Sequence, residues 1–83
     1  LKQNNIETIE NDTFIYLTSL LRLNLNNNRL YLIENSAFNC LNFLQILYLS
    51  ENLIESLDFN LTQLKSLKIL EIRYNPLKEL KNR

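Results

Sequence analysis

The chain has 83 residues, with nine Lys and Arg balanced by nine Asp and Glu, no His, no Gly and one Cys. At that length it is one domain at most, and its zero net charge argues against a nucleic-acid footprint, which needs a basic stripe or patch. The missing His and Gly exclude zinc sites built on Cys and His, His-based nucleophilic triads and Gly-rich phosphate cradles.

Residues 1–19 form a partial repeat, Leu1-x-x-Asn4-x-Ile6, continued by Ile9, Phe14 and Leu17. Residues 20–43 carry the first full copy, Leu20-x-x-Leu23-x-Leu25-x-x-Asn28-x-Leu30, then Ile33, Phe38 and Leu41. Residues 44–66 repeat it as Leu44-x-x-Leu47-x-Leu49-x-x-Asn52-x-Ile54, then Leu57, Leu61 and Leu64. Residues 67–83 begin a last, partial copy, Leu67-x-x-Leu70-x-Ile72-x-x-Asn75-x-Leu77, followed by Leu80. The asparagines Asn4, Asn28, Asn52 and Asn75 are 24, 24 and 23 residues apart. The third copy is one residue shorter between Leu57 and Leu61. A fixed period of this length sets the architecture: each copy is one supersecondary unit that buries its apolar face by stacking on the next.

Each half of the copy has its own physical reading. Leu23-x-Leu25, Leu47-x-Leu49 and Leu70-x-Ile72 alternate as a strand with one buried face does. Copies pair in parallel, because the chain circles once per repeat. The Asn follows the strand, where its amide can bond the backbone groups that the turn leaves unpaired and bridge to the neighbouring coil. The spacings of five and three in Ile9, Phe14, Leu17 and in Ile33, Phe38, Leu41 predict an irregular or short helical return. The expected fold is therefore an α/β solenoid with a short parallel β-sheet on one side. A globule of this size buries only about 60–65% of its unfolded surface, whereas a solenoid needs contact only between neighbouring coils.

Leu-x-x-Leu-x-Leu-x-x-Asn-x-Leu resembles the leucine-rich repeat signature, and the match runs through the whole chain, residues 1–83. The 24-residue step with Phe14 and Phe38 resembles the typical extracellular subtype of Toll and Toll-like receptor ectodomains and secreted leucine-rich repeat proteins. Asn75-Pro76-Leu77 is similar to the closing Asn-Pro-Leu that precedes a Cys-rich cap, although no cap follows here. The resemblance implies a right-handed coil, a binding surface on the concave sheet, and roles in innate immunity, development or adhesion. The chain starts and ends inside a repeat and reads as a piece of a longer protein without its caps, so association through the uncapped ends, or marginal stability, is expected.

Aligning the copies places strand side chains in rows. Arg22, Ile46 and Ile69 form one, and Asn24, Tyr48 and Glu71 the next. Asn26, Ser50 and Arg73 follow, then Asn27, Glu51 and Tyr74. These residues point away from the core. Ile46 and Ile69 are adjacent apolar side chains on an exposed face, with aromatic and Arg neighbours of the kinds enriched at interface centres. Ile46, Tyr48, Ile69, Glu71, Arg73 and Tyr74 are thus the candidate partner-binding residues, against the reading that strand propensity alone selects them. Arg22, Asn24, Asn26 and Asn27 make the first full strand polar, which suits a solvated surface or a carbohydrate contact.

Asn11-Asp12-Thr13 and Asn60-Leu61-Thr62 are glycosylation sequons, in keeping with an extracellular location. Cys40 reads as a partly buried small apolar residue, or as half of a disulfide to a cysteine elsewhere. Glu7 with Glu10, and Glu51 with Glu55, offer no device for general acid–base work. Glu51, Glu55 and Asp58 read as a solvated acidic turn, with a metal site the alternative. No enzymatic role and no cofactor are expected. No stretch approaches the roughly 18 apolar residues of a membrane span. Charge is uneven: three cations and seven carboxylates leave residues 1–58 at −4, and six cations and two carboxylates leave residues 59–83 at +4. That polarity can steer a charged partner to one end. The expected function is protein recognition by a receptor or secreted adaptor. An intracellular scaffold, a microbial effector and a ligand-free spacer are the alternatives.

Overall fold

The computed structural model describes residues 4–57 and 61–78. Asp58, Asn60 and Leu80, as well as Leu1, lie outside them.

Five short strands follow one another: β1 (Thr8–Ile9), β2 (Arg22–Asn24), β3 (Leu32–Ile33), β4 (Ile46–Tyr48) and β5 (Ile69–Glu71). They form two parallel sheets, β2-β4-β5 and β1-β3. In the larger sheet Arg22 pairs with Ile46 and Ile46 with Ile69, Leu23 with Leu47 and Leu47 with Leu70, and Asn24 with Tyr48 and Tyr48 with Glu71. Each chain step returns to the same level one strand over, which suits stacked repeats. β1 and β3 repeat the device on a smaller scale, with Thr8 opposite Leu32 and Ile9 opposite Ile33.

Alternation along the strands puts Leu23 and Leu47 fully inside and Leu70 partly inside. Behind them the frame residues Leu25, Leu30, Leu41, Leu44 and Leu49 are completely buried. Phe14 and Phe38 occupy the same place in successive copies. Their rings stack with centroids 6.1 Å apart and planes 13° apart. The core is therefore a line of equivalent side chains, each touching the copy before and the copy after.

The return segments contain no helix among the described residues: of the two expected forms they take the irregular one, and the α label of the α/β class does not apply there. Instead the chain makes successive tight turns. Leu17 N donates to Phe14 O at 2.9 Å, and Leu41 N to Phe38 O at 3.1 Å. Leu20 N donates to Leu17 O at 3.2 Å and Leu44 N to Leu41 O at 3.3 Å. The same pair of turns recurs as Leu64 to Leu61 and Leu67 to Leu64, both at 3.1 Å. Contacts at i+3 recur only at every second or third residue, so no continuous helical ladder is built. Packing Phe14, Phe38 and the partly buried Leu61 at the spacing of the repeat overrides the few residues of helical preference.

The strands are also shorter than the repeat frame. The strands end at Asn24, Tyr48 and Glu71, while backbone bonds between copies run on through Asn27 N to Ser50 O at 3.0 Å and Glu51 N to Arg73 O at 2.8 Å; Asn27, Glu51 and Tyr74 take φ of 60°, 59° and 59°. This left-handed step, at the residue before Asn28, Asn52 and Asn75, turns the following side chain inward. Asn accepts such a φ readily, whereas Glu and Tyr adopt it at a steric cost.

Candidate interaction surface

The frame asparagines create the surface by holding its rows in register. Asn52 is buried. Its Nδ2 donates to Leu49 O at 3.0 Å and Ser50 O at 3.2 Å in its own turn, and to Leu25 O at 2.9 Å in the preceding copy. Its Oδ1 accepts from Leu30 N at 3.0 Å. Asn75 copies the arrangement one step on, donating to Ile72 O at 3.0 Å and Leu49 O at 2.9 Å and accepting from Ile54 N at 3.1 Å. Asn28 donates to Leu25 O at 2.9 Å and accepts from the backbone of Asn4 at 3.1 Å and Ile6 at 3.2 Å. An amide suits this position because it carries donors for the carbonyls and an acceptor for the N–H groups on one short stem.

On the opposite face of the β2-β4-β5 sheet, Ile46 and Ile69 sit side by side in register. Ile46 is half-buried, and Ile69 is 44% exposed. Tyr48 and Glu71 form the next row, both half-buried. Arg73 and Tyr74 lie past the strand end, on the rim. The Arg73 guanidinium stands 5.3 Å from the Tyr74 ring centroid, and its Nη2 donates to the Tyr74 hydroxyl at 3.4 Å. Tyr74 is 70% exposed.

In the third row Ser50 departs from its expected outward orientation. Ser50 is buried, at 8% exposure. Its Oγ accepts the Arg73 N–H at 3.1 Å, while its own N–H donates to Asn26 Oδ1 at 2.6 Å. Asn26, Ser50 and Arg73 thus staple three copies together just beyond the sheet. The polar first strand is similarly committed. Asn24 Oδ1 accepts from Asn26 N at 3.0 Å, and Asn27 Nδ2 donates to Glu51 Oε1. These side chains complete backbone and inter-repeat bonds while Asn27 stays exposed and Asn24 and Asn26 half-buried. Arg22 remains exposed.

Asn11 is exposed and joins two copies. Its N–H donates to Glu34 Oε1 at 2.8 Å and its Oδ1 accepts from Ser36 N at 2.8 Å. Thr13 Oγ1 of the same sequon accepts from Glu10 N at 3.0 Å. The second sequon residue, Asn60, lies outside the described residues. Cys40 is half-buried and free. Among the described residues no group of three His, Cys, Asp or Glu is placed to hold a metal ion. Glu51 bonds Asn27, Glu55 pairs with Lys78 at 3.1 Å, and Asp58 lies outside the described residues. No helix there is long and apolar enough to cross a membrane.

Sequence reasoning overlooked Lys68. It is exposed and precedes Ile69 at the head of β5. Extending the row alignment by one position, to Leu21, Gln45 and Lys68, would have found it.

A family model described as leucine rich repeat matches residues 1–54 and, in a second placement, residues 19–77. No curated protein and no solved structure matches the chain.

Proposed function

Because the chain belongs to the leucine-rich repeat family, we propose that it recognises a protein partner through the outward face of the β2-β4-β5 sheet. Leucine-rich repeat domains generally mediate protein–protein interaction, and they are typically binding modules without enzymatic activity. In this reading the repeats wind as a right-handed coil of the 24-residue extracellular subtype. The sheet lines its concave side, and the chain is part of a receptor ectodomain or secreted adaptor.

The observation that carries the reading is the Ile46–Ile69 step. Two branched apolar side chains in direct register, one of them 44% exposed, cost free energy unless something covers them. Tyr48 flanks them within the sheet, and Arg73 and Tyr74 stand at the rim, where aromatic and Arg anchors are the usual contributors to affinity. Glu71 supplies a charge to fix orientation. Outside the cell, Asn11 would carry a glycan, because it is exposed and its Oδ1 is the atom holding Ser36. A peptide mass map of native material tests that placement, and an unmodified Asn11 in secreted protein contradicts it.

The binding reading is tested with the intact protein and its captured partner. Tyr48→Ala and Ile69→Asp should each weaken the complex while leaving the folded state in place. Unchanged affinity in both variants would remove the sheet face from the interface.

A further inference from the structure

We infer that the partner presents an extended acidic segment, with a carboxylate bound by Arg73 and an apolar side chain seated on the Ile46–Ile69 step. The inference rests on the sheet-face reading above and adds the chemistry of the occupant.

Three observations lead to it. First, Arg73 is held ready for an anion. Its backbone is fixed at both ends, by Arg73 N to Ser50 Oγ at 3.1 Å and by Glu51 N to Arg73 O at 2.8 Å. Its guanidinium packs against the Tyr74 ring, which limits the rotamers that binding would otherwise have to freeze. Second, the charge is not internally matched. Lys65, Lys68 and Arg73 are exposed, and among the described residues none of them forms an ion pair; the one pair there joins Lys78 to Glu55. Glu71 lies on the neighbouring row opposite Tyr48 and bonds neither Lys68 nor Arg73 among the described residues. Third, the spacing suits an extended chain. Ile69 and Arg73 are four residues apart, about 13 Å along a strand-like backbone. A guanidinium takes a carboxylate through two parallel N–H donors, a fit that a lysine ammonium lacks. A peptide lying along the sheet therefore meets an apolar step and then a fixed cation. The matching ligand carries a branched or aromatic residue and, about four positions away, Asp or Glu.

The test selects a displayed random-peptide library on the intact protein, with the selected peptides measured against three variants. Recovered peptides should share an apolar residue and an acidic residue at that separation. Arg73→Gln should lower their affinity about tenfold, the loss of one charge-assisted contact. Arg73→Lys should restore only part of it, and raising the salt concentration should weaken the parent complex more than the Arg73→Gln complex. Ile69→Asp should abolish binding. If Ile69→Asp abolishes binding while Arg73→Gln leaves it unchanged, or if the peptides carry no acidic residue, the acidic partner is wrong and the sheet face stands. If the peptides bind Ile69→Asp as tightly as the parent, the sheet-face reading itself fails. An unchanged melting midpoint in Arg73→Gln assigns its loss to the side chain, since Arg73 is exposed and its backbone bond to Ser50 is retained.

Discussion

The side-chain amide of Asn52 donates to the carbonyl of Leu25, 27 residues earlier and one repeat away, at 2.9 Å. The same nitrogen bonds Leu49 and Ser50 in its own turn. One buried side chain thus closes a turn and locks it to its neighbour, and the rows of the sheet inherit their register from that lock.

Asn52→Ala should therefore be costly. It leaves Leu30 N–H without its acceptor and removes donors from buried carbonyls, a loss of about 3 kcal/mol in urea unfolding. Asn75→Ala should cost less, because Asn75 is half-buried and water can replace part of what it supplies. Equal costs would show that burial does not set the strength of the ladder.

The stacked pair Phe14 and Phe38 should behave as a unit. Each is almost wholly buried, so either Phe→Ala change should destabilise by about 3–5 kcal/mol. Where a milder pair such as Phe14→Leu and Phe38→Leu keeps the fold, a double-mutant cycle should return a coupling of about 0.5–1.5 kcal/mol. Strict additivity would mean that the rings pack independently.

Left-handed residues set stability against recognition. Glu51 and Tyr74 hold φ of 59°, a conformation that Asn tolerates better. In an Asn27→Ala background, where the Asn27–Glu51 bond is already absent, Glu51→Asn should raise stability by about 0.5–1 kcal/mol, a few degrees in melting midpoint. Tyr74→Asn should give a similar gain while weakening partner binding, since it removes the ring against which Arg73 rests. A Tyr74→Asn protein that binds as well as the parent would exclude Tyr74 from the interface.

The ion pair between Lys78 and Glu55 should contribute little. Its side chains are 74% and 58% exposed, so solvent and salt screen it. Lys78→Ala should change stability by less than about 0.5 kcal/mol. A larger loss would point to packing by the Lys78 stem.

What the sequence makes legible here is what repeats. The period of the asparagines and the Leu-x-Leu frame define the strands, the core line and the Ile46–Ile69 pairing, because each rests on a side chain whose burial recurs every copy. The strand limits were not legible. The frame and the backbone bonds between copies run on past Asn24 and Tyr48, yet the regular strands end there, ahead of a left-handed step three residues later. Nothing in Glu51 or Tyr74 signals that step; only Asn27 has the usual propensity for it. Ser50 was misplaced for a related reason. A small hydroxyl in an outward row can turn back to the next copy's N–H, and residue type alone does not show which it does. The return segments carried too few residues per copy for helical preference to be read against the demand of packing Phe14 and Phe38.

Photo-cross-linking tests the central claim most directly. A photoreactive amino acid is placed at Ile69 or at Tyr16 in the intact protein. Tyr16 is the control, being 91% exposed in the return segment that follows β1. The account predicts covalent adducts to a protein partner from position 69 and none from position 16. Adducts from position 16 with none from position 69 would contradict it, and would move the binding surface to the opposite side of the repeats.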